Sequence, residues 1–128
     1  MSVCEIESDL EVKTYDIDVA GHVNNIVYVR WLEDLRSKIL DSRYPLSGLL
    51  ERDLYPVVTA TQIHYKNQLK LGDKLRGTIR IESIRHGVMN LKVVFRNEDV
   101  VVATADQSCV LMNLKTGKMD GNAMAVFL

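Results

Sequence analysis

From residue 57 onward the chain reads as four β-rich runs, VVTATQIHYK (57–66), KLRGTIRIESI (74–84), VMNLKVVFRN (88–97) and VVVATADQSCVLMNL (100–114), punctuated only by the turn signals LGD, RHG and NED. Connections this short predict antiparallel neighbours. In the second run Leu75, Ile79 and Ile81 alternate with Lys74, Arg76, Arg80 and Glu82, the signature of a sheet with one wet face and one face that needs a cover. The cover is predicted at 25–41, where Tyr28, Leu32, Leu35 and Ile39 recur at helical spacing and Arg30, Glu33, Arg36 and Lys38 fill the opposite surface. Arg30 with Asp34 and Asp34 with Lys38 add i,i+4 charge pairs. Residues 9–15, DLEVKTY, alternate like a further short strand; 42–56, with both prolines, read as a loop holding one helical turn. The order strand, long helix, four strands is α+β: a curled antiparallel sheet of about five strands wrapped around one long central helix.

Composition narrows the function. A chain of 128 residues with 47% hydrophobic content supports one domain across 1–128. A net charge of −1 offers no field for nucleic acid. No apolar run approaches a membrane span, and the acidic opening MSVCEIESDLEVK is unlike a secretory signal, so a cytoplasmic protein is expected. Cys4 and Cys109 lack metal-ligand spacing, and His22, His64 and His86 are scattered, so neither a metal nor another cofactor is expected.

Chemistry concentrates at the helix entrance, in YDIDVAGHVNNI (15–26). First-turn N–H groups of a helix lack intrahelical acceptors, and the helix dipole favours negative charge there. Asn24 is a candidate N-cap, and Gly21 permits a close backbone approach to a ligand. A carbonyl docked at that end would be polarised, with Asp18 placed to attack it or to activate water. Residue types alone leave a second reading open, since aspartate, glycine and asparagine also build turns and caps for conformational reasons.

The whole string Y-D-I-D-V-A-G-H-V-N-N-I-V-Y-V-R-W-L-E-D-L-R resembles the first signature of hotdog-fold thioesterases of the 4-hydroxybenzoyl-CoA thioesterase type. Its G-H-V-N-N-x-x-Y-x-x-W portion is also similar to acyl-acyl-carrier-protein thioesterases, and the LGDKL turn and LKTGK segment extend the likeness along the chain. The resemblance implies hydrolysis of an acyl thioester of coenzyme A or acyl carrier protein. Asp18, the second aspartate of D-x-D, would be nucleophile or general base; the helix N–H near Asn25 would polarise the carbonyl; His22 would support catalysis. The carrier-protein branch tends to have asparagine where this chain has Ala20, which ranks His22 below Asp18. The resemblance also implies a homodimer or homotetramer with sites between subunits, and coenzyme A phosphates met near the turn at Arg85 and His86. Tyr28, Trp31 and Tyr65 are candidate acyl-pocket residues. Two other functions suit the same fold: a non-catalytic acyl-thioester-binding or assembly protein, and a hydratase or dehydratase. The latter's D-x-N-P-x-H pattern is absent here.

Overall fold

The apolar periodicity of the first third becomes one long helix, α1 (Asn25–Arg43), in a computed structural model that describes residues 4–128. Its buried stripe is Val27, Tyr28, Trp31, Leu32, Leu35, Arg36, Ile39 and Leu40. Arg36 was expected on the wet face. It is buried because Glu33 and Gln107 accept from its guanidinium, so the charge enters the core already paired. Nor do Arg30 and Lys38 pair with Asp34. They reach across to the N-terminal segment, Arg30 to Asp16 and Lys38 to the Ser8 hydroxyl.

The first strand, β1 (Glu5–Leu10), begins and ends earlier than the alternation at 9–15 predicts. Residues 14–16 are instead one 3-10 turn, because Asp16 closes on Lys13 twice: the Asp16 N–H donates to the Lys13 carbonyl, and the Lys13 N–H donates to the Asp16 carboxylate. The remaining strands are β2 (Leu54–Tyr65), β3 (Leu75–Arg85), β4 (Val88–Asn97) and β5 (Val100–Asn113), and α2 (Leu46–Glu51) is the helical turn expected before them. Pro56 lies inside β2, which is tolerated because β2 is an edge strand.

Sheet order is β1-β3-β4-β5-β2, antiparallel throughout. The β3–β4 and β4–β5 hairpins match the turn signals. At the first of them His86 and Gly87 both have positive φ (53° and 78°), as a two-residue type I′ turn demands. The expectation of a hairpin between β2 and β3 is wrong: β2 pairs with β5, and residues 66–74 cross to the far side of β4. The crossing is held from below, since Leu69 is buried and its carbonyl accepts from the Val23 N–H. One contiguous apolar core lies between α1 and the sheet, and Ala123, Met124 and Phe127 join it from the C-terminal segment.

Candidate active site

An isolated bridge between Ile17 and Val23 ties off a small loop just ahead of α1. Within it the Asp18 N–H donates to the His22 carbonyl (2.8 Å) and the Gly21 N–H to the Asp18 carbonyl (3.0 Å). Gly21 sits at φ +81°, a left-handed position that glycine occupies without strain. The loop uses one carboxylate oxygen for itself: Asp18 Oδ1 accepts from the Ala20 N–H (2.9 Å) and the His22 N–H (3.2 Å). Asp18 Oδ2 accepts no hydrogen bond among the described residues, and the side chain is exposed. The carboxylate is thus oriented by two amides while half of it faces solvent.

Asp16, two residues earlier, is its opposite. It is 1% exposed, with Oδ2 taken by the Lys13 N–H (2.8 Å) and Oδ1 by Arg30 (2.7 Å). That bond raises the Arg30 guanidinium above its ordinary value, and Arg30 also lies 5.9 Å from the Tyr15 ring centroid. The Asp16 carbonyl accepts from the Asn24 N–H, which fixes the chain's entry into α1.

Asn24 caps the helix as expected, its Oδ1 accepting from the Ile26 N–H at 3.1 Å. The Asn25 N–H, first in the helix, has no acceptor among the described residues, while the Asn25 carbonyl accepts from the Tyr65 hydroxyl (3.1 Å). Tyr65 ends β2, so this bond pins the sheet edge to the helix start. Tyr28 meets Tyr65, Trp31 and Phe95 edge-on at centroid separations of 5.1–5.2 Å. Burial pushes the Tyr28 phenol up to about 12 and also raises Tyr65, so both remain hydrogen-bond donors at neutral pH.

A groove of about 560 Å³ brings together Asp18, His22, Asn24, Asn25, Tyr28 and Tyr65. Gly21 shapes the loop beside it without lining it, and Trp31, expected in an acyl pocket, is turned into the core at 2% exposure. Lys66, Asn67 and Gln68 also line the groove and escaped the sequence reading. The signal was the abrupt polar run KNQ directly after Tyr65. Arg85 and His86 do not join this groove. Tyr65 pairs with Ala103 of β5, whereas the hairpin carrying Arg85 lies at the level of Cys109, about 20 Å away along β5 at 3.3 Å per residue. Both are exposed. A second, more enclosed cavity of about 380 Å³ lies under α2, walled by Leu40, Tyr44, Leu49 and Tyr55 with Glu33 and Arg36 at its margin. No helix among the described residues is long and apolar enough to cross a membrane, and among them no three His, Cys, Asp or Glu side chains cluster as metal ligands.

The family model of the thioesterase-like superfamily matches residues 12–123. The chain belongs to that superfamily. It is 28% identical over 115 residues to the long-chain acyl-CoA thioesterase FadM of Escherichia coli (strain K12), covering 88% of this chain and 87% of the relative. The crystal structure of YbaW, a probable thioesterase from Escherichia coli, superposes with a TM-score of 0.82 at 28% identity, covering 89% of this chain and 87% of that one. The Staphylococcus aureus protein SAV2348, solved in complex with CoA, shares the fold with a TM-score of 0.85 at 17% identity, over 97% of this chain and 82% of that one. Superfamily membership makes the chain a thioester hydrolase. Within this thioesterase-like chain, the loop at Asp18 supplies an exposed carboxylate and the start of α1 supplies an unengaged N–H, facing one groove. Such a pair can attack or hydrate a carbonyl and stabilise the oxyanion that forms.

Proposed function

We propose that this protein hydrolyses acyl-CoA thioesters. The carbonyl oxygen of the thioester lies against the α1 N-terminus at Asn25, and the Asp18 carboxylate either attacks the carbonyl carbon or removes a proton from the attacking water. In the first route the C–S bond breaks to leave an acyl–Asp18 anhydride, which water then hydrolyses to regenerate the carboxylate; in the second, water adds directly and the C–S bond breaks as the tetrahedral intermediate collapses. In both the thiolate takes a proton, and free acid and thiol leave. His22 borders the carboxylate and helps orient the thioester; Tyr28 borders the first atoms of the acyl group. The observation that carries this reading is the free Asp18 Oδ2 beside the unengaged first N–H of α1 in one groove. Coenzyme A as the carrier is supported by FadM's activity on long-chain acyl-CoA.

The test is a thiol-release panel of acyl-CoAs and acyl-carrier-protein thioesters on one preparation. Turnover of the CoA thioesters is expected. Release confined to carrier-protein thioesters would reassign the carrier, and no release from either would overturn the reading.

Arg85 is the proposed coenzyme A phosphate handle, with His86 as a second donor, although both lie at the other end of the strands from Asp18. A homodimer reconciles the two positions. The open edge of β2 has unpaired backbone groups, and antiparallel pairing of two such edges about a two-fold axis would bring the partner's Leu54 end, with its 85–88 hairpin, toward this chain's Tyr65 end. Asp18→Asn and Arg85→Ala proteins should therefore each hydrolyse acyl-CoA poorly. After mixing and subunit exchange, about a quarter of sites would be intact by random pairing of two-fold partners, and activity should return. Mixed proteins no better than their average would rule out a shared site.

A further inference from the structure

From the margin of the cavity under α2, a chain of hydrogen bonds runs in a single direction toward β2. Arg36 Nη1 donates to Gln107 Oε1 (3.1 Å), and Gln107 Nε2 donates to Thr61 Oγ1 (3.1 Å). A guanidinium has donors only, so the Gln107 amide is fixed with its oxygen toward Arg36 and its nitrogen toward Thr61. Thr61, having accepted, still has its hydroxyl proton to give, and no acceptor takes it among the described residues. Arg36 and Gln107 are buried at 8% and 3% exposure, whereas Thr61 is exposed. Together with Asp16 they are the buried polar side chains of the described core. Buried charged and polar groups are weak evidence of stabilisation, since apolar residues of similar volume often pack as stably, and this leaves room for a role of the belt beyond fold stability.

Its position points to one. Tyr65 and Thr61 are four residues apart on one face of β2, and both reach toward α1, Tyr65 to Asn25 and Thr61 through Gln107 to Arg36. Thr61 is thus about 13 Å from Tyr65 at 3.3 Å per residue. Between them the strip is apolar: half-buried Ile63 shares that face of β2, and Val29, 47% exposed, stands one turn after Asn25 on α1. The strip leads from Tyr65, which lines the Asp18 groove, to the Thr61 hydroxyl at the end of the relay.

We propose that the acyl group lies along this strip and that the Thr61 hydroxyl selects acyl chains carrying a hydroxyl or keto oxygen toward the far end of the chain, on the scale of the roughly 13 Å that separate Tyr65 from Thr61. The relay starts at Arg36, whose charge Glu33 shares, and successive hydrogen bonds in one direction reinforce one another, so an oxygen acceptor gains where a methylene covers the Thr61 hydroxyl and leaves it unsatisfied. This selection rests on the hydrolase reading above, and the experiment separates the two. Thiol release from ω-hydroxydodecanoyl-CoA and dodecanoyl-CoA is measured on the full chain. Wild-type kcat/KM is expected to favour the hydroxylated substrate about five- to tenfold, the scale of one hydrogen bond. Thr61→Val should bring the ratio to about one and Thr61→Ser should preserve it, and Gln107→Leu, which cuts the relay, should lower it. A purely structural role would depress both substrates together and leave the ratio untouched. A wild-type ratio of one or below, or an undiminished ratio in folded Thr61→Val, overturns the proposal. Absence of turnover on both thioesters counts against the hydrolase reading alone, and calorimetric binding of the same pair then decides the belt by the same ratio.

Discussion

Asp18→Asn is expected to lower kcat by about 10² to 10⁴, with fold, oligomer and most substrate affinity preserved. Asparagine keeps an amide oxygen where Asp18 Oδ1 now accepts from the Ala20 and His22 N–H groups, so the loop retains its internal bonds. What disappears is the charge on the oxygen that faces the groove. An amide is neither a useful general base nor a carboxylate nucleophile, so the loss falls on the transition state. A drop in kcat with little change in KM is its kinetic mark. His22→Ala should cost less, since the Asp18 loop is bonded through the His22 backbone and not its ring. Wild-type turnover by a well-folded Asp18→Asn protein would remove the centre of the mechanism.

The second large effect belongs to the other aspartate of the same tripeptide and is an effect on stability. Asp16→Ala should destabilise the protein by about 2–3 kcal/mol, because the Lys13 N–H loses its acceptor and Arg30 its partner around a site that is 1% exposed. The figure sits at the lower end for a broken buried pair because Arg30 is half-exposed and can rehydrate. The melting temperature should fall by roughly 8 °C for a chain of this size. Activity should fall through loosening of the helix entrance, and a lower assay temperature should recover part of it. An unchanged melting temperature would show that Asp16 is dispensable to the turn.

These two aspartates show what kind of information each level carries. Both are acids in a turn-rich stretch ahead of a helix, and D-x-D alone does not say which is exposed. The family likeness assigned chemistry to Asp18; the fold supplies the physical difference, since Asp16 faces Arg30 across the loop while Asp18 faces the groove. Arg36 is a similar case. Helical periodicity placed it with the wet residues, and its burial is tolerable because Glu33 on the same helix and Gln107, 71 positions later in the chain, both accept from its guanidinium. The β2–β3 connection is not legible locally, because a short, turn-rich segment gives the same signal whether it folds back on itself or crosses to the far side of the neighbouring strands.

What the sequence by itself determined is whatever rests on contacts between near neighbours. Those features are the α1 periodicity, the Asn24 cap, the β3–β4 and β4–β5 hairpins, and hence an antiparallel sheet covered by one helix. Each is set by side-chain period or turn conformation within a few residues, where the backbone has few alternatives. Only the tertiary structure decided which strand became the open edge, which aspartate was buried, that Tyr65 clamps the start of α1, and that Arg85 stands at the far end of the strands from Asp18. Those features depend on pairings between distant segments. Such contacts form only once the whole core has closed, because the burial of apolar surface that stabilises them is shared across α1 and all five strands.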